Sequence, residues 1–314
     1  MTAPRRKVLL LALGGTIACV KTGKGLVPKL RAADLVSAIS LPRGVEVVSK
    51  DFLKRLIVFP KDWIALGREI FNQFENYDGF VVTLGTDTLA YVAAALSLIL
   101  RNISKPIVLT GAMRPISDRK SDGGMNLYNA ILTAGQSGVG GVFVVFNGKI
   151  LEGGRVSKIR SEDADAFESV NASPLGTFSG NKIRWNERPA CSKEKPTIVP
   201  FLDTRVALVK LAPNTQPAFF NGFKKYRGIV IEGYGDGNVS FNLVPVLKRL
   251  ARERVVILAS QCPYGKSSPK YKGGVSVIQA GAIPAENMTK EMSLVKLMWV
   301  LGQSKKLADA RRIF

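Results

Sequence analysis

Short apolar runs alternate with segments of helical periodicity through the first half of the chain. Four runs have the length and apolar content of strands buried on both faces: Val8–Leu13, Gly79–Thr83, Pro106–Thr110 and Gly141–Phe146. Three segments between them have the apolar spacing of helices: Lys61–Phe74, Thr88–Leu100 and Met125–Ala134. Strand–helix alternation produces crossover connections, so the pattern predicts an α/β fold with a mostly parallel sheet covered by helices on both faces.

The pattern breaks once, and a second and shorter α/β series follows. A polar, proline-punctuated stretch predicts an interdomain linker at residues 188–204. After it we predict strands at Arg205–Leu211, Gly228–Glu232 and Arg254–Ala259, and helices at Phe241–Arg252 and Lys290–Leu301. A length of 314 residues suits two domains. We therefore expect a larger N-terminal domain over residues 1–187 and a smaller C-terminal one over residues 205–314.

The N-terminus has two interpretations. A basic group, Arg5 to Lys7, precedes the apolar run Val8–Leu13, as in a weak export signal. Gly14 and Gly15 interrupt that run early, which favours a buried first strand. No apolar run approaches the roughly 20 residues needed to cross a bilayer, so we expect a protein without a membrane partner.

Residue types that are missing or scarce restrict the chemistry. Histidine is absent, which excludes nucleophiles activated by a Ser–His or Cys–His pair and leaves lysine as the obvious base. The three cysteines (Cys19, Cys191 and Cys262) are far apart, so we expect no disulfide framework, no metal site and a reducing cytoplasm. The sequence contains no cofactor motif, and we predict that none is required.

The chain is strongly basic, with a formal net charge of +21. Such a balance attracts anions in general, nucleic acid included. The basic residues are nevertheless spread along the chain in short clusters, without a basic tail or an aromatic-rich binding motif. A solvated basic surface is therefore favoured over a dedicated nucleic-acid site.

Three segments place hydroxyl, carboxylate and amine groups where ligands collect in open parallel sheets, beyond the carboxyl ends of the strands. Gly14-Gly15-Thr16 directly follows the first strand. Gly85-Thr86-Asp87-Thr88 joins a strand to a helix, whose N-terminus favours a developing negative charge. Gly153-Gly154-Arg155-Val156-Ser157-Lys158 supplies a lysine that is able to act as a base if the fold brings it near Thr86.

Together these segments resemble the bacterial and archaeal L-asparaginase family over most of the chain. The similar motifs are GGTIA at 14–18, GTDT at 85–88, TGAMRP at 110–115, SDGGMNLYNA at 121–130, GRVSK at 154–158, GDGN at 235–238 and LVKLMWVL at 294–301. The resemblance implies a two-domain asparaginase-like fold. It also implies an amidohydrolase that releases ammonia from L-asparagine through a threonine nucleophile and an acyl-enzyme, and a homodimer or dimer of dimers.

The resemblance also assigns roles to individual residues. Thr16 corresponds to the nucleophile, and Thr86, Asp87 and Lys158 form a second catalytic set in which Lys158 is the base. The glycines Gly15 and Gly85 would contact the substrate through their backbone, Ala112 would offer its carbonyl near the leaving amide, and Asn238 would reach the site across a subunit interface.

Several groups that hold substrate in that family are absent. The usual Asp-Ser pair before the Pro-x-Asp-Trp helix start is missing, and Lys54 and Arg55 lie nearby instead. A cation there would still bind a carboxylate; a basic pair on the surface is the alternative. No tyrosine precedes Tyr77, and Leu84 stands where the family has histidine. Weak asparaginase activity or a different amide substrate is therefore an open alternative.

Two further alternatives remain. The Ser117–Arg119 segment and the C-terminal helix resemble the glutaminase-like component of archaeal glutamyl-tRNA amidotransferase, although that component normally carries an extra N-terminal domain. The altered pocket and the net charge also fit a protein that has lost activity and binds an anionic partner.

Overall fold

A computed structural model describes residues 5–314 of the chain. The chain divides into two compact units, and the boundary lies between Pro200 and Phe201, inside the predicted linker 188–204. Within the described residues, no helix is both long and apolar enough to cross a membrane.

Among the described residues, from Arg5 onward, the first unit contains fourteen strands and four α-helices. The strands are β1 Arg6–Gly14, β2 Cys19–Thr22, β3 Gly25–Pro28, β4 Val45–Arg55, β5 Gly79–Thr83, β6 Leu100–Arg101, β7 Pro106–Thr110, β8 Gly141–Phe146, β9 Lys149–Glu152, β10 Val156–Lys158, β11 Phe167–Ser169, β12 Gly176–Ser179, β13 Lys182–Trp185 and β14 Thr197–Ile198. The helices are α1 Ala32–Ser37, α2 Pro60–Asn72, α3 Thr86–Ile99 and α4 Gly123–Ala134.

Eight of these strands form one mixed sheet, in the order β13-β12-β9-β8-β7-β5-β1-β4. The strands from β8 to β4 are parallel, and β9, β12 and β13 extend one edge by antiparallel pairing. The prediction of a mostly parallel sheet in an α/β fold is confirmed. The predicted strands and helices of this half are present, with ends shifted by one or a few residues.

The core of the first unit forms because side chains alternate across the sheet. Val8, Leu10 and Ala12 of β1 pack with Leu127 and Ile131 of α4 on one face. The intervening β1 residues are also buried because helices cover the other face. This double burial explains why β1, β5 and β7 are continuous apolar runs, and it confirms the predicted first strand.

Part of the predicted linker is packed on the first unit. Thr197 and Ile198 form β14, which pairs antiparallel with β6 directly after α3. Val199 N also donates to Ile99 O at 2.8 Å.

The second unit repeats the α/β plan on a smaller scale. Its strands β15 Val206–Lys210, β16 Gly228–Gly233, β17 Val255–Ser260 and β18 Ile283–Pro284 form a parallel sheet in sequence order. Its helices are α5 Val244–Glu253, α6 Lys272–Gln279, α7 Lys290–Gln303 and α8 Leu307–Ile313. A separate core forms around the buried side chains of Ile229, Ile231, Leu247 and Leu258. The prediction of a smaller C-terminal domain with an α/β fold is therefore confirmed.

Candidate active site

The site lies where three neighbouring parallel strands end. In the sheet β5 lies between β1 and β7, and Thr83 is paired with Ala12 on one side and Thr110 on the other. Parallel strands end at the same edge, so the loops that follow them meet. Each loop carries one of the motifs singled out in the sequence.

The first two loops touch through glycine backbone. A Cβ atom on Gly15 would overlap Gly85 N and the carbonyl carbon of Leu84. Gly15 also has a φ angle of 78°, which residues with a side chain rarely adopt. Its N–H donates to Arg55 O at 2.9 Å, which fixes the turn from the other side. Gly15 is therefore required for this close approach, and Gly85 is required because a Cβ there would overlap Leu56 O.

Thr86 and Lys158 are brought together from segments far apart in the chain. Lys158 Nζ donates to Thr86 Oγ1 at 2.8 Å and to Asp87 Oδ1 at 2.7 Å. The Thr86 residue is buried, the Lys158 side chain is 19% exposed and the Asp87 side chain is 71% exposed. The lysine amine is thus held against a buried hydroxyl, with the carboxylate on the solvent side.

The approach of Lys158 depends on the Gly153-Gly154 turn. A Cβ on Gly153 would lie 2.8 Å from Val142 O and 3.1 Å from Ser97 Oγ of α3. The missing side chain lets this turn lie on β8 and α3, and the short strand β10 then leads Lys158 to the N-terminal end of the same helix. Thr86 is the first residue of α3, where unpaired N–H groups favour negative charge.

The third loop, after β7, closes the site around Ala112. A Cβ on Gly111 would lie 2.6 Å from Leu84 O and 3.5 Å from Thr86 Cγ2. Ile116 N donates to Ile17 O at 3.1 Å, so the loop also contacts the segment that follows Thr16. Ala112 is fully buried.

Two polar residues that sequence reasoning did not single out hold this third loop. The Asp122 carboxylate accepts from Met113 N at 3.0 Å and from Arg114 N at 3.1 Å. Asn126 Nδ2 donates to Gly111 O at 3.1 Å and to Asp122 Oδ2 at 3.0 Å. The usable signal was the spacing of four residues at the start of a helix, which puts both side chains on one face.

Thr16 begins a 3-10 turn, Thr16–Ala18, and is partly exposed. Within residues 5–314 its hydroxyl forms no hydrogen bond, so it is not joined to Lys158 as Thr86 is. The turn behind it is fixed, because Ala18 N donates to Gly15 O at 3.1 Å and the buried Cys19 thiol donates to the same oxygen at 3.3 Å. Burial raises the pKa of this thiol, which keeps it protonated as a donor.

Lys54 and Arg55 behave differently from one another. Arg55 Nη1 pairs with Asp62 Oδ2 at 2.9 Å, and Asp62 also accepts from Phe59 N at the start of α2. Lys54 is exposed and makes no ion pair with any described residue. β4 is irregular here, since the pairing passes from Ala12–Asp51 to Gly14–Arg55.

Asn238 lies in the second unit, in a turn after β16. Its Oδ1 accepts from Gly274 N at 3.2 Å, and its N–H donates to Tyr234 O at 2.8 Å. These contacts give Asn238 a structural place within its own unit. Among residues 5–314 no group of three metal-binding side chains of the His, Cys, Asp or Glu type comes together.

Comparison with protein families gives the same division of the chain. Residues 7–191 match the model described as Asparaginase, N-terminal, and residues 205–314 match that described as Glutaminase/Asparaginase C-terminal domain. The two matches define the class of this protein, an amidohydrolase with two α/β domains.

Individual relatives narrow the class. The chain is 39% identical to the L-asparaginase of Thermococcus kodakarensis, over 98% of this chain and 96% of that one. It is 34% identical to the D component of the glutamyl-tRNA(Gln) amidotransferase of Pyrococcus abyssi, over 98% of this chain and 74% of that one. The chain therefore belongs to the asparaginase family.

Solved structures agree. The thermostable L-asparaginase from Thermococcus kodakarensis superimposes with a TM-score of 0.92 at 38% identity, over 98% of this chain and 96% of that one. A probable cytoplasmic L-asparaginase from Campylobacter jejuni superimposes with a TM-score of 0.85 at 27% identity, over 98% and 99%. The asparaginase-like fold expected from the sequence motifs is confirmed.

Proposed function

We propose that this chain hydrolyses the side-chain amide of L-asparagine by acyl transfer, with Thr16 as nucleophile and Thr86, Asp87 and Lys158 as the second catalytic set. The observation that carries the proposal is the double contact of Lys158 Nζ, at 2.8 Å to Thr86 Oγ1 and 2.7 Å to Asp87 Oδ1. An amine within hydrogen-bond reach of a buried hydroxyl supports proton transfer between the two groups.

In this proposal the Thr16 hydroxyl attacks the amide carbonyl, ammonia leaves, and water then hydrolyses the acyl-enzyme to aspartate. In its neutral form Lys158 accepts the Thr16 hydroxyl proton through Thr86 and returns it to the leaving nitrogen, so that ammonia departs. Asp87, exposed on its outer side, pairs with the substrate ammonium. The first N–H groups of α3 stabilise the negative charge that develops on the carbonyl oxygen. Ala112 offers its carbonyl to the leaving amide from the loop that Asp122 holds.

The similarity to named L-asparaginases supports L-asparagine as the substrate. We further propose a homodimer or dimer of dimers in which Asn238 reaches the site of a neighbouring protomer, in line with the motif resemblance at residues 235–238. The three free cysteines support a reducing, cytoplasmic location. Arg55 supports the loop, so Lys54 remains the candidate for a carboxylate contact.

The test is ammonia release from L-asparagine, L-glutamine and D-asparagine by the wild-type protein and three variants. We expect Thr16→Ala and Thr86→Ala each to lose at least about 10²-fold in kcat, as removal of a nucleophile or its proton path should. The control Thr177→Ala changes a partly exposed threonine of β12 and should keep wild-type kcat. Full activity in Thr16→Ala would eliminate Thr16 as the nucleophile.

A second candidate function is the ammonia-supplying component of a tRNA amidotransferase. The similarity to the amidotransferase component of Pyrococcus abyssi, at 34% identity over 98% of this chain, favours it. Binding of tRNA or of a copurifying partner protein would support this assignment. A protein that binds neither and turns over free L-asparagine would exclude it.

A further inference from the structure

Three chain segments contact the loop that carries Thr16. The first, residues 19–31, follows the Thr16–Ala18 turn directly and forms the β2–β3 hairpin. The second, residues 54–55, is bound to the loop through the bond from Gly15 N to Arg55 O. The third, residues 114–120, is bound to it through the bond from Ile116 N to Ile17 O.

These three segments are far more basic than the chain as a whole. The full chain has 45 basic and 24 acidic side chains, a ratio below two to one. The three segments contain one acidic side chain, Asp118, and nine basic ones. We call these nine the basic rim: Lys21, Lys24, Lys29, Arg31, Lys54, Arg55, Arg114, Arg119 and Lys120.

Most residues of the basic rim form no ion pair with a described residue. Arg31 pairs with Asp51 at 2.9 Å, and Arg55 pairs with Asp62 at 2.9 Å. The other seven are exposed and form no ion pair with any residue in the described range 5–314. Nearby carboxylates are committed elsewhere, since Asp51 also accepts from Ala32 N and Asp122 accepts from backbone N–H groups of its own loop.

The arrangement fits a small anion better than a long one. A polyanion is usually met by a row of cations along one groove or helix. Here the cations belong to three separate segments, each of which contacts one loop, the one that carries the proposed nucleophile. Unpaired charges of one sign near a site raise the local concentration of an oppositely charged small molecule there.

We propose that the basic rim selects amide substrates with net negative charge, such as asparagine derivatives that carry an additional carboxylate, over zwitterionic or cationic ones. This inference rests on the proposed amidohydrolase function of the same site. It predicts a substrate preference governed by charge and weakened by salt.

Three dipeptides test it: L-Asn-L-Glu, L-Asn-L-Met and L-Asn-L-Lys. They have similar size, the same side-chain amide and the same free ammonium, and differ by one charge at each step. Ammonia release gives kcat/KM for the wild-type protein, and calorimetry with the Thr86→Ala protein gives the dissociation constants. Both are measured at 10 mM and 500 mM NaCl, because the screening length falls from about 30 Å to roughly 4–5 Å between these concentrations.

We expect kcat/KM and affinity both to decrease in the order L-Asn-L-Glu, L-Asn-L-Met, L-Asn-L-Lys. The kcat/KM for L-Asn-L-Glu should exceed that for L-Asn-L-Lys at least about tenfold at low salt, and the two values should be within about twofold at high salt. If affinity followed the charge of the dipeptide but no ammonia were released, the selection by the basic rim would be supported and the proposed hydrolysis rejected. Ammonia release with no charge order would reject the rim and leave the hydrolysis standing.

Two quadruple variants localise the effect. Replacing Lys21, Lys24, Arg119 and Lys120 with glutamine should abolish the preference for L-Asn-L-Glu. Replacing Lys182, Arg184, Lys193 and Lys195 with glutamine removes the same charge elsewhere in the first unit and should keep the preference. Lys182 and Arg184 lie on the edge strand β13, and Lys195 O accepts from Asn102 beyond the far end of α3. Equal loss in both variants would show a whole-protein effect and overturn the proposal.

A polyanion is tested separately. Yeast tRNA is added to the hydrolysis of L-Asn-L-Glu at low salt. If it inhibits the wild-type protein with a micromolar inhibition constant and does not inhibit the rim variant, the basic rim binds nucleic acid. That result would overturn the assignment to a small anion.

Discussion

At the scale of single residues, Lys158 is the side chain on which the proposed chemistry depends. Replacing it with methionine keeps most of the length and apolar stem and removes the amine that donates to Thr86 Oγ1 and Asp87 Oδ1. We expect kcat to fall by about 10²–10⁴-fold, the usual contribution of a positioned acid–base group. Ammonia release measures the loss.

The matched control is Lys182→Met, which alters an exposed lysine of β13, an edge strand of the main sheet. It should retain wild-type kcat. If Lys158→Met were as active as this control, the lysine would have a structural role only.

The burial of Glu232 predicts how the stability of the protein depends on pH. Burial is the main cause that raises the pKa of this carboxyl, and the nearby cations Lys290 and Lys210 offset it only in part. A raised folded-state pKa means that the contribution of this group to stability is fully present below the unfolded value of 4.5 and is lost as pH rises through the folded value. The ionised form of Glu232 is therefore less favourable in the folded protein than in the unfolded one.

Glu232→Gln should consequently unfold at a higher temperature than wild type at pH 8, and the difference should shrink as pH falls toward 4. Thermal unfolding followed by circular dichroism measures it. Glu187→Gln, at an exposed glutamate of the first unit, is the control and should leave the pH profile unchanged. A Glu232→Gln protein less stable than wild type at pH 8 would contradict the stated cause.

At the scale of elements, the contact between Gly15 and Gly85 determines how closely the first two loops approach. Gly15→Ala would drive a Cβ into Gly85 N at a residue with positive φ, so the loops must separate. We expect a loss of more than about 10²-fold in kcat, since small displacements of reacting groups are costly, together with a lower unfolding temperature.

Gly23→Ala is a suitable control, because no atom lies within 4 Å of the new Cβ and the glycine is in the neighbouring hairpin. It should keep activity within about twofold of wild type. Wild-type activity in Gly15→Ala would mean that the close approach is not needed for catalysis.

The elements themselves were largely predictable, and the contacts between them only in part. Runs such as Val8–Leu13 specify buried strands because burial on both faces demands continuous apolar sequence. The same logic does not reach Arg55, whose ion pair with Asp62 depends on an irregular end of β4. Nor does it reach β14, where two residues of a proline-rich stretch pair with β6.

The candidate site shows the same limit. Thr16, Thr86, Asp87 and Lys158 were recognisable as motifs, and the structure joins the last three directly. The support from Asp122 and Asn126 was not foreseen, because a helix-start carboxylate looks the same in a sequence whether it caps a helix or holds a loop. The roles of Thr16 and Asn238 stay predictions.

At the scale of the whole molecule, the position of the domain boundary has a measurable effect. Asp203 precedes the first strand of the second unit and bonds to Arg205 and to Arg227. Arg227 also donates to the carbonyls of Leu301, in the last turn of α7, and of Ser304, directly after it. The hydrogen bond from Arg205 is the main cause that holds the pKa of Asp203 well below its usual range. Residues 201–204 therefore act as part of the second unit.

Two fragments test this. Residues 201–314 and residues 205–314, each produced alone, should both fold around the core of the second unit. The longer one should be more stable by about 2 kcal/mol at pH 7, the usual worth of hydrogen bonds to a charged group. Because the depressed Asp203 pKa contributes stability that is lost as pH falls below 3.8, the advantage should shrink in acid. Urea unfolding gives both values, and equal stabilities at pH 7 would place the boundary after Asp203.

The bond between Lys158 and Thr86 joins residues 72 positions apart, and the lysine follows six strands of the main sheet in chain order. A ribosome must therefore release α3, β7, α4, β8 and β9 before the amine exists to reach the hydroxyl. A nascent or truncated chain that ends before β10 holds both threonine loops and lacks the proposed base. Under the proposed mechanism, the order of synthesis therefore leaves an incomplete chain without its base.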